Sequence, residues 1–220
     1  QGSVTISSSK TLSIYNTDRI VITNSSSSFY LGYLTANGGA RTGTGDLYNT
    51  AVGSQAGTSL SIGDENTLIG YQSGYYTTTG VRNTFVGRLA GRSNSVGSYN
   101  SGFGVDALYT CVSGQGNTAI GRAAGRTITG SFNTMLGYYT GSNNKGSYNI
   151  CIGNKAGSTS SETSNYYLYI DSSRKGSDSL IYGYTLGTTT NYIKINGNFY
   201  IKQNKIAQAS SWSNYSDINL

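Results

Sequence analysis

The sequence has no proline and no histidine, and charged residues make up only 11% of its 220 positions. Without histidine, the side chain that most often serves as a general base and as a metal ligand is absent. Disordered chains are rich in charge and proline and poor in aromatic residues, whereas this chain has 20 tyrosines and 31 glycines. The composition therefore predicts a protein that is ordered by backbone hydrogen bonding and repetition.

Clustered positive charge is also missing. The net charge is +6, and no run of adjacent basic residues is longer than Arg174-Lys175. Nucleic-acid-binding proteins concentrate their positive charge on one element, so we expect no nucleic-acid partner. No apolar run has the length of a membrane span or the form of a signal peptide. We therefore expect that this segment does not insert into a membrane. We also expect it to be a fragment of a longer protein.

The two cysteines, Cys111 and Cys151, provide neither a disulfide framework nor the spacing of a metal site. We expect them to be small buried hydrophobic residues, and we expect no metal or cofactor. The repeated Gly-x-Gly-x-Asp pattern of calcium-binding β-rolls is absent as well.

A short pattern, Asn-Thr-x-Val-Gly or a close variant, recurs at intervals of 16 or 17 residues. A small residue follows four positions after the Val, usually with a glycine next to it, and another glycine comes three positions before each later Asn. A degenerate copy begins at Ser28. The seven clear copies begin at Asn49, Asn66, Asn83, Asn100, Asn117, Asn133 and Asn149.

A repeat of about 17 residues is too short for a pair of helices, and its two glycines would weaken any helix. It predicts one coil of two short strands and two tight turns. The first strand is the Asn-Thr-x-Val-Gly segment, and the second is the variable stretch at 59–62 or 109–112. The glycines and the Asn are expected to supply the left-handed backbone that the turns require. Stacked coils of this kind form a parallel β-solenoid.

Side-chain alternation divides the first strand into two faces. Thr50, Val52 and their equivalents are predicted to point inward, and the residue between them points the other way. Both faces are apolar or small, whereas a strand with one face in water alternates apolar and polar residues. A neighbouring copy of the chain is therefore predicted to cover the second face. That face carries Ala51, Leu68, Phe85, Ala119, Met135 and Cys151.

The Thr50-Ala51-Val52-Gly53 strand, followed by the Ala56-Gly57 turn, resembles the head repeats of trimeric autotransporter adhesins. Similar NTxxGxxAG arrays occur in phage tail fibres and in attachment spikes of large algal viruses. The resemblance covers roughly residues 28–202. It implies an all-β, left-handed parallel β-roll wound as a homotrimer, so that the face described above becomes the trimer core. It also implies an extracellular location, on a virion or a bacterial cell surface.

Short alternating segments flank the array. They predict an N-terminal β cap or stem over 1–27, a repeat β-roll over 28–165, a C-terminal β cap over 166–202 and a tail over 203–220. The strands expected in these flanks lie near 4–6, 12–15, 19–23, 166–171, 179–184 and 192–201.

Little in the sequence is suited to catalysis. The only glutamates are Glu65 and Glu162, and the Asp64-Glu65 pair falls at a turn, where solvated carboxylates are expected. We therefore predict that the protein is not an enzyme. A tailspike-like polysaccharide depolymerase, with acidic residues from several subunits, stays an alternative, as does a purely structural spacer.

Variable positions after the repeat glycine are rich in Tyr and Arg, which suit flat recognition of sugars. The alternative is that these tyrosines stack into ladders that stabilise the solenoid. The predicted partner is a host cell-surface polysaccharide or glycoprotein, bound by three copies of weak contacts. The predicted ligand contacts are Tyr71, Arg88, Arg122, Tyr138 and Tyr139.

A third hypothesis, ice binding, comes from a column of threonines. Ice binding requires such a column on a flat, exposed face, so the inward placement predicted here argues against it. The column consists of Thr50, Thr67, Thr84, Thr118 and Thr134.

Overall fold

A computed structural model of the chain describes residues 18–23, 28–33, 48–158, 165–171, 181–186 and 190–195. This described part is all-β, and its twelve strands form one sheet in which each strand pairs with its neighbours in sequence. The strands are β1 (Asp18–Thr23), β2 (Ser28–Tyr33), β3 (Thr50–Val52), β4 (Thr67–Ile69), β5 (Thr84–Val86), β6 (Ser101–Phe103), β7 (Thr118–Ile120), β8 (Thr134–Leu136), β9 (Ile150–Ile152), β10 (Tyr167–Ile170), β11 (Ile181–Leu186) and β12 (Thr190–Ile195).

The strands from β2 to β10 are parallel, and their register follows the sequence repeat. Thr50 pairs with Thr67, and Thr67 pairs with Thr84. The degenerate copy joins the same register, because Phe29 of β2 pairs with Thr50. The predicted parallel β-solenoid is confirmed, with about seven coils of one repeat each.

The two ends of the sheet are antiparallel. β1 pairs with β2, and β10, β11 and β12 form an antiparallel series. Strands β1, β10, β11 and β12 lie where strands were predicted near 19–23, 166–171, 179–184 and 192–201. Residues 179–180 and 196–201 of these predictions lie outside the described residues. The strands predicted near 4–6 and 12–15, and the tail over 203–220, lie outside the described residues. The role of the terminal strands as caps stays a prediction.

Each coil has one strand where the sequence predicted two. Residues 59–62 and 109–112 form turns and bends. Their hydrogen bonds explain the difference, because the N–H of Leu60 donates to the carbonyl of Gly57 within the same coil, at 3.0 Å. Other groups still link neighbouring coils, as in the 3.0 Å bond from Ser59 N–H to the Tyr75 carbonyl. This side of the solenoid is therefore a stack of turns and not a second sheet.

The residues predicted to form the trimer core line the interior of a single chain. They are 0–1% exposed: Ala51, Leu68, Phe85, Ala119, Met135 and Cys151. The turn after each strand brings the small residues of the array, such as Ala56 and Ala90, into the same interior cluster. A side chain that is buried in its own chain cannot contact another chain, so this prediction is wrong. The Thr and Val positions, predicted to point inward, are instead partly exposed.

A ladder of buried asparagines runs beside this interior. From Asn49 to Asn133, the Nδ2 of each ladder Asn donates to a glycine carbonyl of its own coil, and its Oδ1 accepts the N–H of the next Asn. At Asn149 the ladder ends, and its Oδ1 accepts the N–H of Tyr167. For Asn83 the distances are 2.8 Å to the Gly97 carbonyl and 3.0 Å to the Asn100 nitrogen. The prediction that these asparagines adopt the left-handed region is wrong. The residue before the Asn adopts it, as in Arg82 and Tyr99.

In one coil, the large residue of the strand and the glycine of the turn have exchanged positions. Leu108 occupies the position after the small residue, where other coils have glycine, and it keeps their left-handed backbone with a φ of 52°. The strand of the same coil has Gly102 where other coils have a side chain. A Cβ added at Gly102 would lie 3.5 Å from Cδ1 of Leu108 and 3.1 Å from Cδ1 of Phe85. Leu108 therefore fills the space that Gly102 leaves open.

Candidate recognition surface

The outward side chains of β3–β9 form a face that we call the outer strand face. Its first column is Thr50, Thr67, Thr84, Ser101, Thr118, Thr134 and Ile150, and its second is Val52, Ile69, Val86, Phe103, Ile120, Leu136 and Ile152. Neither column contains a charged residue. The second column includes large apolar side chains that stand well out into solvent, from 37% exposed for Ile69 to 45% for Leu136.

The residue before each ladder Asn lies at the start of the strand, and these residues form what we call the edge column. Their left-handed backbone, with φ between 54° and 66° from Glu65 onward, turns the side chain away from the coil interior. The large aromatic members are about half exposed. The edge column consists of Tyr48, Glu65, Arg82, Tyr99, Gly116, Phe132 and Tyr148, together with Tyr166, which has the same position before Tyr167 of β10.

Neighbouring members of the edge column contact each other. Near the N-terminal end, Arg82 forms an ion pair with Glu65 at 2.8 Å, and its guanidinium carbon lies 5.6 Å from the ring centre of Tyr99. Near the C-terminal end the rings of Phe132 and Tyr148 stack with centres 5.1 Å apart, and Tyr148 stacks on Tyr166 at 5.0 Å. The C-terminal part of the edge column is therefore an aromatic stack of three rings.

The Glu65–Arg82 pair is charged on both sides at neutral pH. The hydrogen bond from Arg82 lowers the pKa of Glu65, and the same bond raises the pKa of Arg82. Both groups are exposed, so solvent and salt screen their attraction and the pair adds little to stability. Glu65, one residue of the adjacent acidic pair Asp64-Glu65, is thus held by two hydrogen bonds from Arg82.

Three of the five predicted ligand contacts lie together. The guanidinium carbon of Arg122 is 5.5 Å from the ring centre of Tyr138 and 5.3 Å from that of Tyr139. Arg122 also donates a 2.8 Å hydrogen bond to the Tyr138 hydroxyl. The other two, Tyr71 and Arg88, are exposed in neighbouring coils nearer the N-terminal end. Ligand contact by any of the five stays a prediction.

Sequence reasoning missed a larger cluster of the same kind around Arg92. Its guanidinium carbon lies 5.4 Å, 5.0 Å and 5.7 Å from the ring centres of Tyr75, Tyr76 and Tyr109. Arg126 lies 5.3 Å from the Tyr109 ring, on the next coil. The repeat spacing is the signal that could have found this cluster, because residues 75, 92 and 109 are each 17 apart.

Across the coils at 48–158 and the described flanks, no three Cys, Asp or Glu side chains lie close enough to hold a metal ion. In the same part of the chain no helix is long and apolar enough to cross a membrane.

Both thiols are free and buried, as predicted, and burial raises the pKa of Cys111 and of Cys151 to about 12. Because the thiolate is the reactive form, we expect iodoacetamide at pH 8 to add no mass to the folded protein and two adducts in denaturant. Intact mass spectrometry measures this, and rapid alkylation of the folded chain would contradict the burial.

The same shifts determine how stability depends on pH. A raised pKa means that the folded state holds the thiol proton more tightly than the unfolded chain does. The stability contributed by this difference is complete below about pH 9 and is lost as the pH rises towards 12.

The chain was compared with protein-family models, with curated proteins and with solved structures. None of the three comparisons gave a match.

Proposed function

We propose that the chain is a structural fibre or spike domain that attaches its owner to a host or cell surface, as a homotrimer that binds glycans. The observation that carries the proposal is the outer strand face, whose apolar second column is exposed in four coils and half-buried in the other three, with no charged residue in either column.

Such a face is costly to leave in water. Seven parallel strands, about 4.8 Å apart, give it a length of roughly 29 Å, and large contiguous apolar patches on soluble proteins mark interaction sites. Every copy of the chain carries the same face, so a closed symmetric assembly covers it in all subunits at once. The number three rests on the resemblance to trimeric fibre heads.

The glycan part of the proposal draws on the two Tyr and Arg clusters, in which Arg122, Tyr138 and Tyr76 are exposed and the other members are half-buried. Arg122 with Tyr138 and Tyr139, and Arg92 with its tyrosines, combine apolar ring surface with hydrogen-bond donors. A trimer presents each cluster three times on a stiff scaffold. Weak single contacts then add up, because the second and third are made at high effective concentration.

The assembly can be tested on the wild-type chain and one variant. We expect light scattering to give a mass of three 23.2 kDa chains for the wild type and of one chain for Ile120→Asp. An aspartate at this position would place an unpaired charge in each subunit contact, which costs several kcal/mol. Val112→Asp is the matched control, because Val112 is similarly exposed but lies in a turn segment, and it should remain trimeric. A monomeric wild type would overturn the trimer.

Glycan binding is tested by a glycan array probed with the wild-type trimer. We expect retention of a subset of glycans and the loss of signal in Ile120→Asp, because the monomer lacks multivalency. A trimer that binds no glycan would contradict attachment through glycans and leave the spacer function.

The threonine column favours one second candidate, ice binding. These threonines were predicted to point inward, which would exclude ice binding, but they lie on the outer strand face. Thr50, Thr67 and Thr84 repeat in register on an exposed face. The bulky Phe103 and Leu136 in the neighbouring column interrupt its flatness, and a trimer would cover it. Thermal hysteresis is therefore expected to be absent, and measurable hysteresis would replace the trimer with a monomeric ice-binding face.

A further inference from the structure

The edge column lacks one side chain, at Gly116. On the N-terminal side of this position the column ends with Tyr99, which rests on Arg82, and on the C-terminal side it resumes with Phe132, which stacks on Tyr148. In every other coil of the array a large side chain occupies this position. Gly116 therefore leaves a gap between two aromatic rings.

The backbone does not close this gap. The N–H of Gly116 donates to the Ser98 carbonyl at 3.0 Å, and the N–H of Phe132 donates to the Gln115 carbonyl at 2.8 Å. These distances match the equivalent bonds elsewhere in the column, such as the 3.0 Å bond from Tyr148. The attachment points of Tyr99 and Phe132 thus remain two coil spacings apart, about 9.6 Å.

That separation fits one ring. Two coil spacings between the attachment points are about what one further member of a stack requires, because stacked rings have centres about 4.5–7 Å apart. The stacked pairs of this same column have centres 5.0 and 5.1 Å apart. Elsewhere in the column, Tyr148 has rings on both of its sides, those of Phe132 and Tyr166. At Gly116 no edge-column side chain lies between Tyr99 and Phe132.

The shape of the gap suits a free ring better than a side chain. A Cβ at Gly116 would lie 2.7 Å from Cδ1 and 2.9 Å from Cε1 of Phe132, because this ring leans over the glycine. A ligand ring is not tied to the backbone and can lie further out, between the exposed parts of the two rings. Phe132 is 52% and Tyr99 53% exposed, so both are open to solvent.

We propose that this gap binds one neutral pyranose ring of a glycan, with its two C–H faces against Tyr99 and Phe132. The proposal rests on the proposed glycan-binding function and gives it a site. A pyranose has apolar faces and hydroxyl groups around its rim. Polar groups are available at the rim of the gap, since the Tyr99 hydroxyl accepts a 3.0 Å hydrogen bond from Arg82 and the neighbouring Gln115 is exposed.

Saturation-transfer NMR with methyl β-glucopyranoside and methyl β-galactopyranoside tests the site on the full chain. We expect transfer to at least one of them in the wild type, and a loss of about tenfold or more in affinity in Gly116→Tyr, which fills the gap. The substitution suits the backbone, because Gly116 has a φ of 63°, close to the 61° of Tyr99 and the 60° of Tyr148.

A second variant keeps the test decisive if Gly116→Tyr does not fold. Phe132→Asn removes one side of the gap with a residue that tolerates the left-handed region, and it should lower affinity as strongly. Tyr166→Asn is the matched control, because Tyr166 has the same left-handed backbone and stacks on Tyr148, away from the gap. It should bind like the wild type.

The outcomes separate this site from the proposed function. Pyranoside binding that survives in both Gly116→Tyr and Phe132→Asn would overturn the site and leave glycan attachment standing. No binding by the wild type, either to the pyranosides or on a glycan array, would overturn both. Stronger transfer to benzyl alcohol than to either pyranoside would overturn the sugar and indicate that the gap binds an aromatic side chain of a partner protein.

Discussion

Gly87→Ala is expected to destabilise the solenoid by about 4 kcal/mol, the sum of backbone strain and overpacking. Gly87 has a φ of 136°, a conformation that is essentially restricted to glycine. An added Cβ would also overlap the carbonyl of Gly104 in the next coil, approaching its carbon to 2.6 Å. The obstacle is backbone, and that backbone is fixed by the 2.8 Å hydrogen bond from Gly104 N–H to the Val86 carbonyl. Relief would require the two coils to separate.

Urea unfolding followed by circular dichroism measures this effect at one fixed protein concentration. Gly116→Ala is the matched control, because its φ of 63° is shared by other residues of the edge column and its close neighbour is the movable ring of Phe132. The control should cost only about 1–2 kcal/mol, the usual penalty of a left-handed residue. Equal losses for the two variants would show that the spacing between coils does not depend on Gly87.

The register of the solenoid could be predicted from the sequence because each coil must repeat the hydrogen bonds of the one before it. A constant interval between Asn83, Asn100 and Asn117 leaves one way to align the coils, and the structure has that alignment. The same interval aligns Arg92 with Tyr109, so contacts along a column follow from the repeat alone.

The inner and outer faces of the strand could not be assigned in this way. Threonine is compatible with either face of a strand. Val52, which shares a face with Thr50, is more apolar than Ala51, so polarity alone would place Val52 inside and Ala51 outside. Size offers a better guide than polarity. In one coil the strand position is Gly102 and the turn position is Leu108, the reverse of the large and small residues in the other coils. Such a compensation is expected when the two positions share one closed interior.

The gap in the edge column was visible in the sequence only as a glycine among aromatic residues. Whether a ligand ring can bind there depends on how the neighbouring rings are oriented, which the repeat does not determine. Phe132 and Tyr148 stack with planes 17° apart, whereas Tyr138 and Tyr139 meet at 63°. The first arrangement leaves an open ring face at the end of a stack, and the second does not.

Asn100→Ala is expected to cost about 4 kcal/mol, although it removes only a few atoms. Asn100 is fully buried, its Nδ2 donates to the Gly114 carbonyl at 2.8 Å, and its Oδ1 accepts the Asn117 N–H at 3.0 Å. Alanine would leave both partners buried without this bond, at about 1–3 kcal/mol each. Urea unfolding should show the loss, with Asn143→Ala as the control, because Asn143 is exposed and its 2.6 Å bond from Thr127 can be replaced by water.

Asn100→Asp then distinguishes a lost hydrogen bond from lost packing. A carboxylate can accept the Asn117 N–H but cannot donate to the Gly114 carbonyl, whereas a protonated aspartate can do both. Burial favours the protonated form and raises the pKa of the aspartate above its value of about 3.9 in the unfolded chain. The variant should therefore exceed Asn100→Ala in stability near pH 4 and lose that advantage as the pH rises through the folded-state pKa. If the two variants have the same stability at every pH, packing alone accounts for the asparagine. A crossing of the two curves would show that the ladder is held by the donated proton, which only an amide supplies at every pH.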